Sequence, residues 1–159
     1  MNNLGIYVHI PFCQSKCKYC NFVSGKYPRE MQKRYVQILI KEIEETKYKR
    51  KVSSIFFGGG TPSILPAEDI KEIMLAIKNK FTLTKNAEIS IECNPNSITK
   101  EKLKIYKNLG FNRISFGVQS LDDDVLKLIG RVHNRSEALQ AINLANIAGF
   151  TNINADLLL

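Results

Sequence analysis

Three cysteines crowd into one short segment near the start of the chain, where residues 7–20 read Tyr7-Val8-His9-Ile10-Pro11-Phe12-Cys13-Gln14-Ser15-Lys16-Cys17-Lys18-Tyr19-Cys20. Their C-x3-C-x2-C spacing allows a short loop to direct three thiolates at one metal centre. The combined negative charge of three thiolates is tolerable only when a metal ion or an iron–sulfur cluster neutralises it. The segment therefore predicts a strand ending at Ile10 that is followed by a metal-binding loop.

Two other interpretations of this loop remain open from the residues alone. Free cysteines are often small buried side chains, which would make the spacing incidental. Structural zinc is the second alternative, and it requires a fourth ligand, for which His9, His133 and Cys93 are the candidates. We expect His9 to support the loop by hydrogen bonding rather than to be a ligand. We expect His133 to be structural and Cys93 to be a buried thiol.

Length and composition favour one globular unit in a reducing compartment. The chain has 159 residues, of which 44% are hydrophobic and 24% charged, enough to bury one sizeable core. Apolar runs stay shorter than the roughly 18 residues that span a bilayer, and the N-terminus has no secretory hydrophobic stretch. The sequence predicts a cytoplasmic protein, whose four cysteines would not form a disulfide framework.

The chain carries a positive charge surplus, with 23 Lys and Arg against 15 Asp and Glu. Its one tight basic run spans residues 47–51, KYKRK, and lacks the interleaved aromatic side chains of a single-strand-binding surface. This run is interpreted as a solvated surface or as an anion-attracting patch. We expect no nucleic-acid partner.

Short apolar runs alternate with longer amphipathic ones along the whole chain. Five runs rich in Val, Ile or Phe predict buried strands at residues 6–10, 52–57, 87–92, 113–118 and 152–158. Helical patterns lie between them, and the first has a predicted apolar stripe formed by Met31, Tyr35, Ile38, Leu39 and Ile43. The alternation predicts an α/β fold with a parallel sheet. An open doubly wound sheet and a closed barrel both fit it.

Unusual residues follow each predicted strand at its C-terminal end. They are the cysteine loop, Gly58-Gly59-Gly60-Thr61, Glu92, Gln119 and Asp156. Successive glycines let the backbone approach a ligand, although a simple tight turn is an alternative. Glu92 could accept hydrogen bonds from an ammonium group or from ribose hydroxyls. Parallel strands bring these ends to one face, where α/β folds usually bind ligands.

These motifs together carry a resemblance to a known family. YVHIPFC-x3-C-x-YC, FFGGGTPS, IECNP, RISFGVQS, IGRVHNR and NADLL, taken in order, resemble the radical S-adenosylmethionine superfamily over nearly the whole chain. The resemblance is to the oxygen-independent coproporphyrinogen III oxidases and related heme chaperones. It implies a partial (β/α)6 TIM-like barrel. It also implies that Cys13, Cys17 and Cys20 hold a 4Fe-4S cluster whose fourth iron takes the amine and carboxylate of S-adenosylmethionine.

The resemblance further implies which residues contact the nucleotide. Gly59, Gly60 and Thr61 would contact the methionine amino group, and Tyr19 would lie beside the adenine. The remaining implied contacts are Tyr7, Glu92, Gln119, Arg131 and Asp156. From the residues alone, Arg131 could equally be a surface ion-pair partner. One molecule of S-adenosylmethionine is expected, or two if the oxidase branch is the model.

One position separates the two branches of the family. The oxidase branch carries a further cysteine two residues after the third ligand, and here that position is Phe22. The departure resembles the heme-chaperone branch, which delivers heme to acceptor proteins. The alternatives are an oxidase that decarboxylates coproporphyrinogen III and an inactive truncated fragment. The family also implies a reductant such as flavodoxin.

The length of the chain leads to one further expectation. The family continues through a sixth strand and a C-terminal domain, whereas this sequence stops close to its fifth predicted strand. We therefore expect residues 1–159 to be the N-terminal part of a radical S-adenosylmethionine core domain, truncated after about five strands. The remaining barrel and the C-terminal domain would be absent, which would leave an unpaired strand edge.

Overall fold

Strands and helices alternate throughout the part of the chain that the computed structural model describes, residues 3–158. Residues 1, 2 and 159 of the expected domain lie outside the described part. In chain order the elements are β1 (Leu4–Ile10), α1 (Arg29–Glu45), β2 (Val52–Gly59), α2 (Ala67–Lys80), β3 (Leu83–Cys93), α3 (Lys100–Asn108), β4 (Arg113–Gln119), α4 (Asp123–Leu128), α5 (Arg135–Ile147) and β5 (Asn152–Leu157). Short 3-10 turns at Pro62–Ile64 and Pro95–Ser97 follow β2 and β3.

The five strands form one parallel sheet in the order β1-β2-β3-β4-β5. Each neighbouring pair is joined through helical crossovers, as parallel neighbours require. Within residues 3–158 the sheet is not closed, because β1 and β5 each pair on one side only. The predicted α/β class and parallel sheet are confirmed, and the implied barrel is present as an open five-stranded arc.

The two faces of the sheet have different compositions. Apolar side chains on one face, such as Ile55, Phe57 and Ile91, are fully buried against the helices. The opposite face carries polar residues in register across the strands, where Glu92 pairs with Ser115 and Ser115 with Asn154. Burial of the first face by helices on one side of the sheet is the arrangement that barrel-type folds use.

The apolar stripe of α1 differs from the prediction. Val36 and Ile43 are buried, whereas Met31 and Ile38 are 51% and 57% exposed. Periodicity identifies an apolar sector of the helix, but the packing against β1 and α2 decides which part of that sector turns inward.

Strand β3 is longer than predicted, since it begins at Leu83 instead of residue 87. The added residues include Lys85 and Asn86, which are exposed and have weak strand preference. Their pairing with the start of β2, where Leu83 meets Val52, is a long-range contact that local pattern does not reveal.

Caps define the helix starts near the candidate site. Thr99 accepts a hydrogen bond from the backbone N–H of Lys102 and caps α3. Asn134 forms a capping box with Glu137, so α5 begins at Arg135. Gly130, with φ of +79°, ends the preceding turn in the left-handed conformation that glycine favours. Residues 130–134 thus form an irregular segment between α4 and α5.

The basic run 47–51 is exposed and immediately precedes β2, at the opposite end of the sheet from the cysteine loop. It therefore lies away from the strand ends that carry the candidate chemistry. Within residues 3–158, the helices are too short or too polar to cross a membrane.

Candidate functional site

A cavity lies at the C-terminal ends of the strands. It is lined by most of the residues that the sequence singled out, namely Cys13, Cys17, Tyr19, Cys20, Gly59, Gly60, Thr61, Glu92, Gln119, Arg131 and Asp156. Tyr7 is not among them. Parallel pairing of β1 to β5 brings these strand ends to one edge of the sheet, as expected.

Backbone hydrogen bonds hold the cysteine loop at the mouth of this cavity. The N–H of Cys13 donates to the carbonyl oxygen of Gly25 over 2.8 Å, and that of Lys18 donates to Ile129 over 3.1 Å. The thiols of Cys13, Cys17 and Cys20 are free and partly buried. Within residues 3–158, no three His, Cys, Asp or Glu side chains are arranged to hold a metal ion. The role of these cysteines as cluster ligands stays a prediction.

The glycine loop after β2 is pressed against the cysteine loop. The N–H of Gly60 donates to the carbonyl oxygen of Ile10 over 2.8 Å, and the N–H of Thr61 donates to the carbonyl oxygen of Phe12 over 2.8 Å. A Cβ atom on Gly60 would lie 2.7 Å from the carbonyl oxygen of Phe12 and 3.0 Å from Sγ of Cys13. Only glycine fits this close approach.

Gly59 needs to be glycine for a second reason. Its φ is +114°, and an added Cβ would lie 2.6 Å from the ring of His9. The alternative of an ordinary tight turn does not account for these contacts, since the loop is packed between the β1 end and β3.

Glu92 lies at the end of β3 and faces the glycine loop. Its Oε2 accepts a hydrogen bond from the N–H of Gly59 over 3.2 Å. Burial raises the pKa of Glu92, the Gly59 hydrogen bond lowers it, and nearby Asp156 raises it further. A half-buried carboxylate with free acceptor capacity suits an ammonium or hydroxyl donor.

The guanidinium of Arg131 connects three segments around the cavity. Nη1 donates to Sγ of Cys17 over 3.4 Å, and Nη2 donates to Oδ1 of Asn94 over 2.8 Å and to the carbonyl oxygen of Gly117. Among the described residues, buried Nε of Arg131 has no hydrogen-bond partner. Arg131 is therefore not a surface ion-pair residue.

Asn94 is a site residue that sequence reasoning missed. Its Oδ1 faces both Nη2 of Arg131 and Nδ1 of His133, the latter at 3.1 Å. The sequence signal that could have identified Asn94 is its position in the IECNP motif, as the polar residue directly after β3. His133 is 3% exposed, and its Nε2 lies 3.0 Å from the carbonyl oxygen of Val118, so its predicted structural role is confirmed.

Asp156 and Gln119 lie on the β4–β5 side of the cavity. Oδ1 of Asp156 accepts from Asn154 over 2.7 Å and lies 3.4 Å from Oγ of Ser115. Gln119 has φ of +72°, the one left-handed non-glycine residue among residues 3–158. Such backbone strain concentrates at functional sites, and here it coincides with a register shift between β4 and β5.

Tyr19 lies inside the cavity beside two of the cysteines. Burial raises the pKa of Tyr19, Arg131 lowers it, and the neighbouring thiols of Cys17 and Cys20 raise it. The residue is 38% exposed and lines the cavity.

Tyr7 occupies a different position, on the edge strand β1. The residue is 58% exposed, and its ring stacks on that of Phe56 with the centroids 6.0 Å apart. Its hydroxyl lies 3.2 Å from Nδ1 of His9, whose Nε2 lies 3.2 Å from the carbonyl oxygen of Val23. His9 therefore supports the segment after the cysteines, and Tyr7 contacts His9 without lining the cavity.

Comparison with known proteins assigns the family. The model of the Radical SAM superfamily, where SAM is S-adenosylmethionine, matches residues 7–159. The chain belongs to the radical SAM superfamily. Membership implies an iron–sulfur cluster and binding of S-adenosylmethionine.

Among the radical SAM relatives are curated heme chaperones. The chain is 39% identical to heme chaperone HemW of Haemophilus influenzae, over 98% of this chain and 43% of that protein. It is 38% identical to the Escherichia coli HemW, over 98% of this chain and 42% of that protein. The chain thus spans about two fifths of the length of these curated relatives.

A solved radical SAM structure has the same fold. Coproporphyrinogen III oxidase HemN of Escherichia coli superposes with a TM-score of 0.90 at 34% identity, over 98% of this chain and 37% of that one. The open five-stranded arc therefore corresponds to part of that larger protein.

The residues present suit the cofactors that radical SAM membership implies. Thiolates are the usual ligands of iron–sulfur clusters, and three thiols line one cavity. The glycine loop leaves no room for side chains beside Cys13, and the buried Nε of Arg131 lacks a partner among the described residues. Both features are consistent with a bound group at this place.

Proposed function

We propose that this chain carries the cluster and nucleotide site of a heme chaperone of porphyrin and heme metabolism. The observation that carries the proposal is the cavity that unites the cysteine loop, the glycine loop, Glu92 and Arg131. The 38–39% identity to HemW heme chaperones over nearly the whole chain supports the choice of function. In the complete protein, heme would be the cargo and an acceptor protein the recipient.

In this proposal Cys13, Cys17 and Cys20 bind a 4Fe-4S cluster, which supplies the reductive cleavage of S-adenosylmethionine when both are bound. Thr61, whose hydroxyl donates to Sγ of Cys13 over 3.7 Å, would stabilise the thiolate charge.

The remaining cavity residues bind the nucleotide in this proposal. Glu92 accepts hydrogen bonds from the ammonium group, together with Gly59 and Gly60 as close backbone neighbours. Tyr19 stacks against the adenine. Further contacts come from Gln119, Arg131, Asp156 and, at the outer edge, Tyr7. One S-adenosylmethionine is bound per site.

Coproporphyrinogen III oxidation is the second candidate, because HemN shares the fold at 34% identity. The residue that argues against it is Phe22, which is 69% exposed where the oxidase branch has a further cysteine. An electron donor of the flavodoxin type and a cytoplasmic location are part of both candidates. An inactive fragment is the third, and the experiment below separates the three.

The test begins with anaerobic reconstitution of the chain with iron and sulfide. Electron paramagnetic resonance of the dithionite-reduced protein is recorded with and without S-adenosylmethionine. A 4Fe-4S signal that changes with the nucleotide is expected, and the absence of a cluster would identify an inactive fragment. Heme transfer to an apo-acceptor, without decarboxylation of coproporphyrinogen III, is expected of the full-length protein. Decarboxylated product would favour the oxidase instead.

A further inference from the structure

Arg131 is held by groups that are far from it in sequence. It lies in the irregular segment between α4 and α5, so no helix or strand fixes the direction of its side chain. Its guanidinium nevertheless contacts Cys17, Asn94 and Gly117, which belong to three different segments. The direction of this side chain is therefore set by its hydrogen-bond acceptors.

Asn94 supplies a side-chain acceptor that is itself anchored by hydrogen bonds. Its N–H donates to Oγ of Ser63 over 3.1 Å, and its carbonyl oxygen accepts from Ser97 Oγ over 2.7 Å. Lys102 adds to this anchoring, because its Nζ donates to the carbonyl oxygen of Ser63 over 2.6 Å. The amide of Asn94 thus projects from a turn that is hydrogen-bonded to two neighbouring elements.

His133 reinforces the same arrangement from the other side. Its ring lies between Oδ1 of Asn94 and the carbonyl oxygen of Val118, and it is buried. Nη2 of Arg131 can only donate, so the Asn94 atom that faces it is assigned as the amide oxygen Oδ1, and Nδ1 of His133 lies 3.1 Å from the same atom.

We propose that Asn94 is a positioning residue that, together with His133, orients the Arg131 guanidinium between the cysteine loop and the nucleotide cavity. The proposal rests on the proposed function. The Nε of Arg131 is buried without a partner among residues 3–158, while the side chain lines the cavity. An oriented guanidinium has donors to spare for a carboxylate. Asn94 acts through Arg131.

The test compares Asn94→Leu, which removes the acceptor, with Asn94→Asp, which retains one. The matched control is Asn112→Leu, since Asn112 also bridges to β3 but at the opposite end of the sheet, where it accepts from Ile89 and donates to Ala87. A loss of stability alone would affect both leucine variants.

The first readout is nitrogen-15 NMR of the Arg131 guanidinium in the metal-free protein, assigned with Arg131→Lys. Separate, slowly exchanging Nη signals are expected in the wild type, Asn94→Asp and Asn112→Leu. Averaged signals are expected in Asn94→Leu, because Nη2 loses its side-chain acceptor and keeps only the carbonyl oxygen of Gly117. Unchanged Arg131 signals in Asn94→Leu would overturn the proposal.

The second readout is the affinity of the reconstituted proteins for S-adenosylmethionine. Asn94→Leu is expected to bind S-adenosylmethionine about tenfold more weakly than the wild type, because it loses a hydrogen bond to the charged Arg131 guanidinium. Asn94→Asp keeps an acceptor and should bind within about threefold of the wild type. An equal loss in Asn112→Leu would also overturn the proposal. If the reconstituted wild type does not bind the nucleotide, the proposed function fails, and the NMR comparison in the metal-free protein still decides the role of Asn94.

Discussion

The backbone N–H of Gly59 donates to Oε2 of Glu92 over 3.2 Å, so the glycine loop after β2 is tied to the end of β3. An added Cβ on the preceding glycine, Gly58, would lie 3.0 Å from the same carboxylate oxygen. The carboxylate is thereby held over the loop with acceptor capacity to spare. This relationship joins two strand ends into one binding surface.

Replacement of this carboxylate is expected to weaken nucleotide binding without unfolding the chain. Glu92→Gln keeps the size of the side chain but removes the charge that would face an ammonium group. Affinity for S-adenosylmethionine should fall about tenfold, as expected for a hydrogen bond between charged groups. Isothermal titration calorimetry of the reconstituted protein measures this affinity. Glu88→Gln, on the same strand, is the control, and an equal effect there would contradict the assignment.

The glycine loop is expected to be intolerant of one added methyl group. Gly60→Ala would place Cβ 2.7 Å from the carbonyl oxygen of Phe12, which is backbone and cannot move aside cheaply. We expect a loss of about 1–3 kcal/mol in the free energy of unfolding. Urea denaturation checks this. Gly5→Ala, whose nearest neighbour is the Ser54 side chain at 3.1 Å, should lose less than about 0.5 kcal/mol.

Substitution of single cysteines is expected to show, by the amount of iron bound, which cysteines are cluster ligands and which is a buried thiol. Serine at Cys13, Cys17 or Cys20 should remove most of the bound iron after reconstitution, because each site then lacks one thiolate. Cys93→Ala should retain it, since Cys93 is 4% exposed and packs in the core. The measurement is the iron and sulfide content of each reconstituted variant. Iron loss in Cys93→Ala equal to that of the serine variants would make Cys93 a ligand.

Stability is expected to fall as the pH rises above about 9. Burial raises the pKa of the Cys93 thiol above its ordinary value of 9.0 and that of the Tyr106 hydroxyl above 10.0. Between the unfolded and folded pKa values the unfolded chain has lost the proton that the folded chain keeps. Each group therefore removes about 1.4 kcal/mol of stability per pH unit in that window.

Lys102 acts in the opposite direction, because burial lowers its pKa and the unfolded chain binds the extra proton. Cys93→Ala should therefore lose less stability than the wild type as the pH is raised from about 8.5 to about 10. Urea denaturation across this range provides the comparison. Parallel pH profiles for the two proteins would show that the thiol is not protected in the fold.

One ion pair is expected to stabilise the contact between α1 and α2. Arg29 donates from both Nη atoms to the carboxylate of Asp69, with Nη2 2.8 Å from Oδ1, and Asp69 is 8% exposed. A double-mutant cycle with Arg29→Gln and Asp69→Asn should give a coupling energy of about 1 kcal/mol. The exposed pair Glu68 and Lys71 is the control and should couple by less than about 0.5 kcal/mol. Equal couplings would show that bidentate geometry adds nothing here.

Much of the fold could be predicted because its signals are local. Short runs of Val, Ile and Phe separated by amphipathic segments indicate parallel strands, and all five strands lie where such runs occur. The start of β3 was missed because Lys85 and Asn86 carry no strand pattern. The orientation of α1 was missed in part because Met31 and Ile38 share the helical periodicity of the buried residues.

The amino-acid sequence by itself determined the βα alternation, the family, and the placement of the cysteine, glycine and acidic residues at strand ends. Right-handed crossovers between parallel strands then bring those ends to one edge. Only the tertiary structure decided that Asn94 holds Arg131, that Tyr7 lies outside the cavity, and that the described sheet is open at β1 and β5. These features depend on contacts between residues far apart in the chain, such as Arg131 and Cys17. Local pattern carries no information on such contacts, because packing of the whole chain sets them.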